Sequence, residues 1–242
     1  MGEDQAQHKS TGAAHMDLDA AEQVLVVIPA FNEGTVIGDV VRDVLTQFPE
    51  VVVIDDGSSD STTESARTAG AHVLTHPVNL GQGAALLTGF AWGALQGRFK
   101  LFATFDADGQ HQVEDLVRAV VTQRTSGVDI VLGSRFLKRE GTIPWSKKVL
   151  LRLAIAQSRL SSGLKITDTH NGLRVCTADF ARDLRLSDGM AHASDFLHEI
   201  SRQHRTMCEV PVTVRYTAYS RAKGQPMMNA VNILFDSFIG PR

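Results

Sequence analysis

The chain alternates short, almost wholly apolar runs with segments in which apolar residues recur every three or four positions. Runs such as VLVVIPAF, VVVIDDG and KLFATFD are typical of strands buried on both faces. Between the first two runs, the segment 35–48 places Val40 and Val44 on one side of a helix. This alternation continues to about residue 135 and predicts an α/β domain, with a mostly parallel central sheet and helices on both faces.

The pattern also divides the chain. Residues 1–22 are polar and aperiodic, which predicts a disordered tail, and one domain is expected over 23–225, followed by a C-terminal amphipathic segment at 226–242. Within the domain, GQGAALLTGFAWGALQ predicts a helix of small residues that packs closely on the sheet. The segment 144–164 has an apolar face and a basic face, which is typical of a helix lying on a membrane surface. A core helix with one solvated face is the alternative.

Composition limits the classes of protein to consider. The 242 residues suffice for one large α/β domain, and 43% of them are hydrophobic. With 24 basic and 27 acidic residues, the charge is nearly balanced, which argues against a nucleic-acid partner. Cys176 and Cys208 lack the spacing of a metal site or a disulfide scaffold. No signal peptide is recognisable, and no apolar run of about 18 residues predicts a membrane-spanning helix.

Two carboxylates one residue apart follow the strand KLFATFD. In an extended chain residues i and i+2 point the same way, so Asp106 and Asp108 are expected to converge at the strand's carboxyl end. Open α/β sheets bind ligands there. Like charges so close repel unless a cation lies between them, and Gln110 adds a neutral oxygen while His111 follows it. The pattern predicts a divalent metal with phosphate oxygens. A turn or a helix cap made by the two aspartates is the alternative.

Three further motifs end strands or begin helices. They are IPAFNEG at 28–34, VVVIDDGSSD with Asp55 and Asp56, and HPVNLGQG with two glycines. A carboxylate at a strand end can accept hydrogen bonds from a ribose or a base, and backbone N–H groups at a helix start can face an anion. The last motif is not G-x-G-x-x-G, so dinucleotide binding is poorly supported. Taken singly, each motif is also explained by turn formation and helix capping.

Taken together, the order IPAFNE, VIDDGSSD, NLGQG, FDADGQH and GSR resembles the family-2 glycosyltransferases, which have the Rossmann-like GT-A fold. DTHNGLR at 168–174 and EVPVTVRYTAYSRAKGQ at 209–225 are similar to motifs of the polyprenyl- and dolichyl-phosphate sugar synthases, typified by dolichol-phosphate mannose synthase. The resemblance covers about residues 23–225. It implies a single GT-A domain, accompanied by amphipathic interfacial helices.

The resemblance implies roles for individual residues. The nucleotide would contact Pro29, Ala30, Phe31, Glu33, Asp56, Gly81, Asp106, Ala107 and Asp108. Mg²⁺ or Mn²⁺ would be held by Asp106, Asp108 and Gln110. The phosphates, including that of the acceptor, would meet Arg135, Arg174, Arg221 and Lys223. The catalytic set would be Asp106, Asp108, Arg135 and Arg174. The chain departs from the family's R-x-x-G-x-S-K pattern, because Gln225, Pro226 and Met227 follow Gly224.

The implied reaction is the inverting transfer of a sugar from a UDP- or GDP-sugar to a polyprenyl phosphate, for cell-envelope glycan synthesis. A phosphate monoester has a second pKa of about 6, so the acceptor is already anionic and no catalytic base is expected. Two sets of residues are further candidates. Asp195 and Glu199, with His192 and His198 nearby, lie on the predicted helix HASDFLHEI and face either the sugar or solvent. His170 is a candidate for the acceptor site.

The apolar tail of such an acceptor lies in a bilayer. The resemblance therefore implies a peripheral protein at the cytoplasmic face of the membrane, in contact through 144–164 or 229–240. Some relatives rely on a small separate membrane subunit, which is a candidate partner here as well.

Three other functions are alternatives to this one. A family-2 enzyme with a hydroxyl acceptor would build a polysaccharide and would need a base. A non-catalytic scaffold subunit would not need the intact aspartates. In haloacid-dehalogenase phosphatases the D-x-D motif normally lies on the first strand and is followed by Thr or Val, whereas Gly109 and Gln110 follow it here.

Overall fold

A computed structural model describes residues 21–137, 164, 166–169, 171–186 and 192–215. The strands form one seven-stranded sheet in the order β3-β2-β1-β4-β6-β5-β7. They are β1 Val24–Ala30, β2 Val51–Asp55, β3 His72–Thr75, β4 Leu101–Thr104, β5 Ile130–Ser134, β6 Arg174–Thr177 and β7 Met207–Pro211. The helices are α1 Ile37–Leu45, α2 Thr62–Thr68, α3 Gln82–Gln96, α4 Val113–Ser126, α5 Ala178–Asp183 and α6 His192–Arg202.

The sheet is parallel except at one strand. β1 pairs in parallel with β2 and β4, β2 with β3, and β5 with β7, whereas β6 runs antiparallel between β4 and β5. The predicted mostly parallel sheet is therefore confirmed. The reversed strand brings its first residue, Arg174, beside Thr104, the last residue of β4, and beside Leu132 in the middle of β5.

Helices cover both faces of the sheet, as the apolar pattern predicts. Along β1, Val26 and Ile28 pack with α1, α2 and α4, whereas Leu25 and Val27 pack with α3, α5 and α6 on the other face. Because successive side chains of a strand point to opposite faces, a strand between two helical layers must be apolar throughout. This burial on both faces is the physical reason for the continuous apolar runs.

Helix α3 packs closely on the sheet through its glycines. A Cβ atom on Gly89 would lie 2.3 Å from Val27 Cγ1. A Cβ atom on Gly93 would lie 2.4 Å from both Leu25 Cδ2 and Phe102 Cε1. Real carbon atoms do not approach so closely, so the small residues allow the helix to reach this depth. The predicted close packing of this helix is confirmed.

Gly93→Ala is expected to destabilise the fold by about 1–2 kcal/mol. Overpacking a well-packed core costs about 1–3 kcal/mol, and the better helix propensity of alanine offsets up to about 1 kcal/mol of it. The matched control is Gly38→Ala in α1, where the nearest atoms lie at ordinary distances of 3.5 Å and beyond. Denaturant unfolding checks both variants. Equal stabilities of the two would contradict the packing argument.

Three predicted segments fall largely or wholly outside the described residues: the N-terminal tail, the basic amphipathic helix and the C-terminal amphipathic segment. Ala21, which the prediction places in the tail, is buried and belongs to the core. Among the helices described, none is both long and apolar enough to cross a membrane.

Candidate active site

The strand ends bring the predicted site residues to one edge of the sheet. β1 and β2 lead to the loops that carry Phe31 and Asp56, β4 leads to Asp106, and β5 leads to Arg135. The reversed β6 adds Arg174 at the same edge. Residues distant in sequence thus lie at one edge of the sheet, because parallel strands present their carboxyl ends on the same side.

The two aspartates lie in a turn beyond β4. The strand ends at Thr104, whose hydroxyl donates to the carbonyl of Gly172 at 2.5 Å, and residues 107–108 form a turn. The expectation that Asp106 and Asp108 converge through strand alternation is therefore wrong in its geometry. The turn brings the two charges together instead, and the backbone follows it with a positive φ of 71° at Gly109.

Gln110 holds Asp108 from two sides. Its backbone N–H donates to Asp108 Oδ1 at 3.0 Å, and its side-chain amide donates to Asp108 Oδ2 at 2.5 Å. In this arrangement the amide nitrogen of Gln110 faces the carboxylate, so the side chain acts as a donor to Asp108. Its role as an oxygen ligand to a metal stays a prediction.

The electrostatics of this turn suit a cation. Burial, together with the neighbouring charge of Asp106, raises the pKa of Asp108 above its ordinary value. A carboxylate pair of this kind is stabilised by a hard divalent cation with oxygen ligands, such as Mg²⁺ or Mn²⁺. Among the described residues no group of three or more His, Cys, Asp or Glu side chains forms a metal site. The donor set therefore fits a metal whose coordination is completed by substrate oxygens and water.

His111 supports Asp106. The ring is buried, its Nε2 atom lies 2.9 Å from Asp106 Oδ2, and it packs on Phe105 with ring centroids 5.7 Å apart. Burial opposes the charged form of the ring, but the hydrogen bond and charge of Asp106 outweigh it and raise the pKa of His111. The structure places this histidine against the carboxylate, where it fixes the orientation of Asp106.

Arg174 is buried beneath the carboxylates. Only 5% of the residue is exposed, and its guanidinium carbon lies 4.6 Å from the centroid of the Phe196 ring. Burial lowers the pKa of Arg174, while the negative charges of Asp106 and Asp168 oppose that shift. Arginine remains charged in proteins, so this side chain supplies a buried positive charge that interacts with both carboxylates.

Arg135 is bound to a carboxylate that the sequence analysis did not single out. Asp168 Oδ2 accepts from the backbone N–H and Nε of Arg135 at 3.1 and 2.6 Å, and Oδ1 accepts from Nη2 at 2.8 Å. The Asp168 side chain is only 1% exposed, whereas that of Arg135 is 28% exposed. A bidentate pair of this kind fixes the plane of the guanidinium, and the Arg135 side chain stays partly exposed to solvent.

The loops after β1 and β2 are tied together. The backbone N–H of Asn32 donates to Ser58 Oγ at 2.9 Å, and that of Ser59 donates to Asn32 Oδ1 at 2.9 Å. The N–H of Glu33 donates to Thr62 Oγ1 at 2.9 Å at the start of α2. These bonds make the IPAFNE and VIDDGSSD motifs one structural unit.

Asp56 is occupied by the loop that leads into α3. Its Oδ1 atom accepts from the backbone N–H of Leu80 at 2.9 Å and lies 2.7 Å from His76 Nδ1, and its Oδ2 atom accepts from the N–H of Gly81 at 2.7 Å. The other ring nitrogen of His76 lies 2.9 Å from Thr88 Oγ1. Asp56 therefore orders this loop, and its contact with a nucleotide base stays a prediction.

The remaining predicted nucleotide contacts differ in exposure. Phe31 is 44% exposed and presents an aromatic surface just beyond β1, on which a base can stack. Ala30 and Ala107 are buried, and Pro29 is half-buried. Their side chains offer little surface to a ligand, so any contact that they make is expected to come from the backbone.

Other candidates lie apart from this cluster or outside the described residues. Glu199 accepts from Arg202 Nε and Nη2 at 2.9 and 2.6 Å and from Gln203 at 2.9 Å, which commits it to its own helix. The hydrogen bond from Arg202 lowers its pKa. Asp195 is half-buried and His198 is exposed on the same helix. Outside the described residues lie Arg221, Lys223, His170 and the side chain of His192.

Sequence reasoning missed four residues at this site: Asp168, Gly172, Glu209 and His76. Three of them stand in motifs already quoted, DTHNGLR and EVPV, and the fourth begins HPVNLGQG. The motifs were recognised, but roles were assigned to other residues within them. Buried carboxylates that hold an arginine or a backbone segment are not recognisable before their partners are known.

Comparison with known proteins agrees with the geometry. The model of the family described as Glycosyl transferase family 2 matches residues 25–184. The undecaprenyl-phosphate mannosyltransferase of Micrococcus luteus is 32% identical, over 79% of this chain and 83% of that protein. The polyprenol monophosphomannose synthase of Mycolicibacterium smegmatis is 31% identical, over 88% of this chain and 83% of that protein.

A solved structure shares the fold. The glucosyl-3-phosphoglycerate synthase of Mycobacterium tuberculosis superposes with a TM-score of 0.68 at 20% identity, covering 87% of this chain and 76% of that one. The sheet order, the polar residues at the strand ends and the family match lead to one conclusion: this chain belongs to glycosyl transferase family 2 and has the GT-A fold.

Proposed function

We propose that the protein transfers a hexosyl or N-acetylhexosaminyl group from a UDP- or GDP-sugar to a polyprenyl phosphate, with inversion at the anomeric carbon. The observation that carries this proposal is the meeting of an aspartate pair, Asp106 and Asp108, with the arginines Arg135 and Arg174 at one edge of the sheet. Two relatives that span most of the chain support it by their names, an undecaprenyl-phosphate mannosyltransferase and a polyprenol monophosphomannose synthase.

The donor would lie along the ends of β1, β2 and β4. Phe31 offers a stacking surface for the base, and the loop held by Asp56 and Gly81 borders the nucleoside. Asp106 and Asp108 would hold the metal ion, with Gln110 and His111 keeping both carboxylates in place. Bound Mg²⁺ or Mn²⁺ supplies positive charge to the diphosphate as it leaves. A solved relative of this fold is described with Mn²⁺ and UDP.

The acceptor phosphate would meet Arg135. One oxygen of the acceptor phosphate attacks the anomeric carbon while the bond from that carbon to the diphosphate oxygen breaks, so the nucleoside diphosphate leaves. The attacking oxygen is anionic at neutral pH, and no side chain has to remove a proton. Arg135 contributes by orienting the phosphate, since Asp168 fixes the plane of its guanidinium. The buried Arg174 contributes positive charge to the site.

The acceptor places the reaction at a membrane surface. A polyprenyl tail stays in the bilayer, so the site at the sheet edge must approach the headgroup region before the acceptor phosphate can bind there. We therefore propose peripheral contact with the membrane through the segments at 144–164 and 229–240. A small membrane subunit is a further candidate partner, and pull-down from membranes tests it separately.

The first experiment is a thermal-shift panel of UDP- and GDP-sugars with and without Mn²⁺. A ligand that binds the native state adds about 2.7 kcal/mol of stability at a hundredfold excess over Kd. We expect the sugars of one nucleotide, UDP or GDP, to raise the Tm of the protein, and to do so only with the metal present. The same donor, radiolabelled in the sugar, is then incubated with polyprenyl phosphate, and the lipid product is separated.

The outcomes distinguish the alternatives. Label in the lipid fraction supports the proposal. A metal-dependent shift without lipid labelling, but with transfer to a saccharide, favours a hydroxyl acceptor. No shift with any nucleotide sugar removes the proposal and favours a scaffold subunit.

A further inference from the structure

The segment that carries Asp168 is hydrogen-bonded to a residue of β7. Residues 166–169 form neither helix nor strand, so their backbone N–H groups bond outside the regular ladder of the sheet. Glu209 on β7 accepts from two of these groups. Its Oε1 atom accepts from the N–H of Thr167 at 2.8 Å and from that of Asp168 at 3.2 Å. One carboxylate oxygen thus fixes two consecutive residues.

The other oxygen of Glu209 anchors a chain of hydroxyl groups. Oε2 accepts from Thr167 Oγ1 at 2.9 Å, Thr167 Oγ1 lies 2.6 Å from Ser134 Oγ, and the N–H of Phe136 donates to Ser134 Oγ at 3.2 Å. An ionised carboxylate only accepts, so the hydroxyl of Thr167 must donate to Glu209 and accept from Ser134. The direction of every bond in the chain is thereby determined.

The two branches of this network meet at Arg135. Ser134 and Phe136 flank it in the chain, and Asp168 binds its guanidinium and its backbone N–H. Ser134 is fully buried and Asp168 is 4% exposed, so neither can exchange its partner for water. The position of the guanidinium therefore depends on both the turn after β5 and the 167–168 segment, and Glu209 joins the two.

We infer that Glu209 is a positioning residue for acceptor-phosphate binding, acting through Thr167 and Asp168 on Arg135. This inference rests on the proposed function, in which Arg135 orients the phosphate. Glu209 does not need to touch either substrate. Its charge-assisted bonds keep the guanidinium plane fixed before the acceptor arrives, and a misplacement of about 1 Å can cost about 10²-fold in rate.

Glu209→Gln is the sharpest test because it keeps the shape of the side chain. The amide oxygen can still accept from the two backbone N–H groups, but the amide nitrogen must donate to Thr167 Oγ1. The hydroxyl of Thr167 then turns to Ser134, whose own proton is left without a partner in a buried site. We expect kcat/KM for polyprenyl phosphate to fall about tenfold or more, while KM for the nucleotide sugar stays within about twofold.

The matched control is Asp129→Asn. Asp129 Oδ2 accepts from the backbone N–H and the hydroxyl of Thr206 at 2.9 and 2.8 Å, a similar set of bonds at the opposite end of β5 and β7. This variant is expected to lower the Tm without changing the acceptor kinetics. A second pair guards against misfolding of Glu209→Gln: Thr167→Val removes the hydroxyl link, and Thr167→Ser restores it. We expect acceptor kcat/KM to fall in the first and to recover in the second.

A double-mutant cycle with Arg135→Ala decides between positioning and general support. If Glu209 acts through Arg135, adding Glu209→Gln to Arg135→Ala lowers acceptor kcat/KM no further. Independent, multiplicative losses in the double variant would overturn the inference, as would wild-type kinetics in Glu209→Gln or in Thr167→Val. If the wild-type protein transfers no sugar to polyprenyl phosphate, the proposed function fails and the inference falls with it. An active wild type with multiplicative losses rejects the inference alone.

Discussion

Asp108→Asn is expected to reduce sugar transfer by at least about 10²-fold and to abolish the metal-dependent rise in Tm with the nucleotide sugar. The substitution removes one of the two negative charges at the turn after β4, while the amide oxygen can still accept from the backbone N–H of Gln110. Loss of one preorganised electrostatic stabiliser at a reacting centre typically costs about 10²–10³-fold in kcat. Initial rates and thermal shifts on the same preparations measure both effects.

The matched control for this prediction is Glu114→Gln. Glu114 is an exposed carboxylate in the first turn of α4, a few residues beyond the pair. It should leave both the transfer rate and the donor-induced shift unchanged. Because burial and Asp106 raise the pKa of Asp108, removing its charge is also expected to leave the unliganded fold at least as stable. Full activity of Asp108→Asn would rule out the assigned metal site.

Gly172→Ala is expected to lower transfer by about 10²-fold in a protein that still folds. A Cβ atom at this position would lie 2.1 and 2.2 Å from the two carboxylate oxygens of Asp106, so the side chain of Asp106 must move. Gly172 does not have a positive φ, and alanine brings no backbone strain. The expected loss follows from displacing a metal-binding carboxylate, since small misplacements at a reacting centre are costly.

Gly93→Ala separates this local effect from general destabilisation. It places a methyl group in the core beneath α3, away from the aspartates, so it should lower stability without a matching loss of kcat. Transfer rates measured well below each variant's Tm make the comparison. Wild-type kcat in Gly172→Ala, at a donor concentration that saturates the enzyme, would show that Asp106 tolerates the shift and is not a metal ligand.

Much of the site could be predicted from the sequence, but the hydrogen bonds and ion pairs between its residues could not. The sequence placed Asp106, Asp108 and Arg135 at strand ends, because apolar runs followed by polar residues mark the carboxyl edge of a parallel sheet. It did not reveal that Asp168 binds Arg135, since the two are 33 positions apart and pair only through tertiary contact. It implied a phosphate contact for Arg174 through the family resemblance, but it did not reveal that this residue is buried against Phe196.

The antiparallel strand shows the same division. RVCT is short and apolar enough for a strand, but nothing local states its direction or that it enters the sheet between β4 and β5. Direction depends on the route of the chain between β5 and β6, which no local pattern specifies. As a consequence, the placement of Arg174 beside Thr104 at the end of β4 followed from the fold alone.

The fold class, the two helical layers and the family motifs could all be predicted along the chain, because burial on both faces of a sheet imposes a period and a composition on the sequence. Which polar side chains meet depends on the folded backbone. Asp56 with His76, Arg135 with Asp168, and Glu209 with Thr167 each join residues from different elements. Hydrogen bonds and ion pairs act over a few ångströms, so such partners are defined only once the backbone has brought distant segments together.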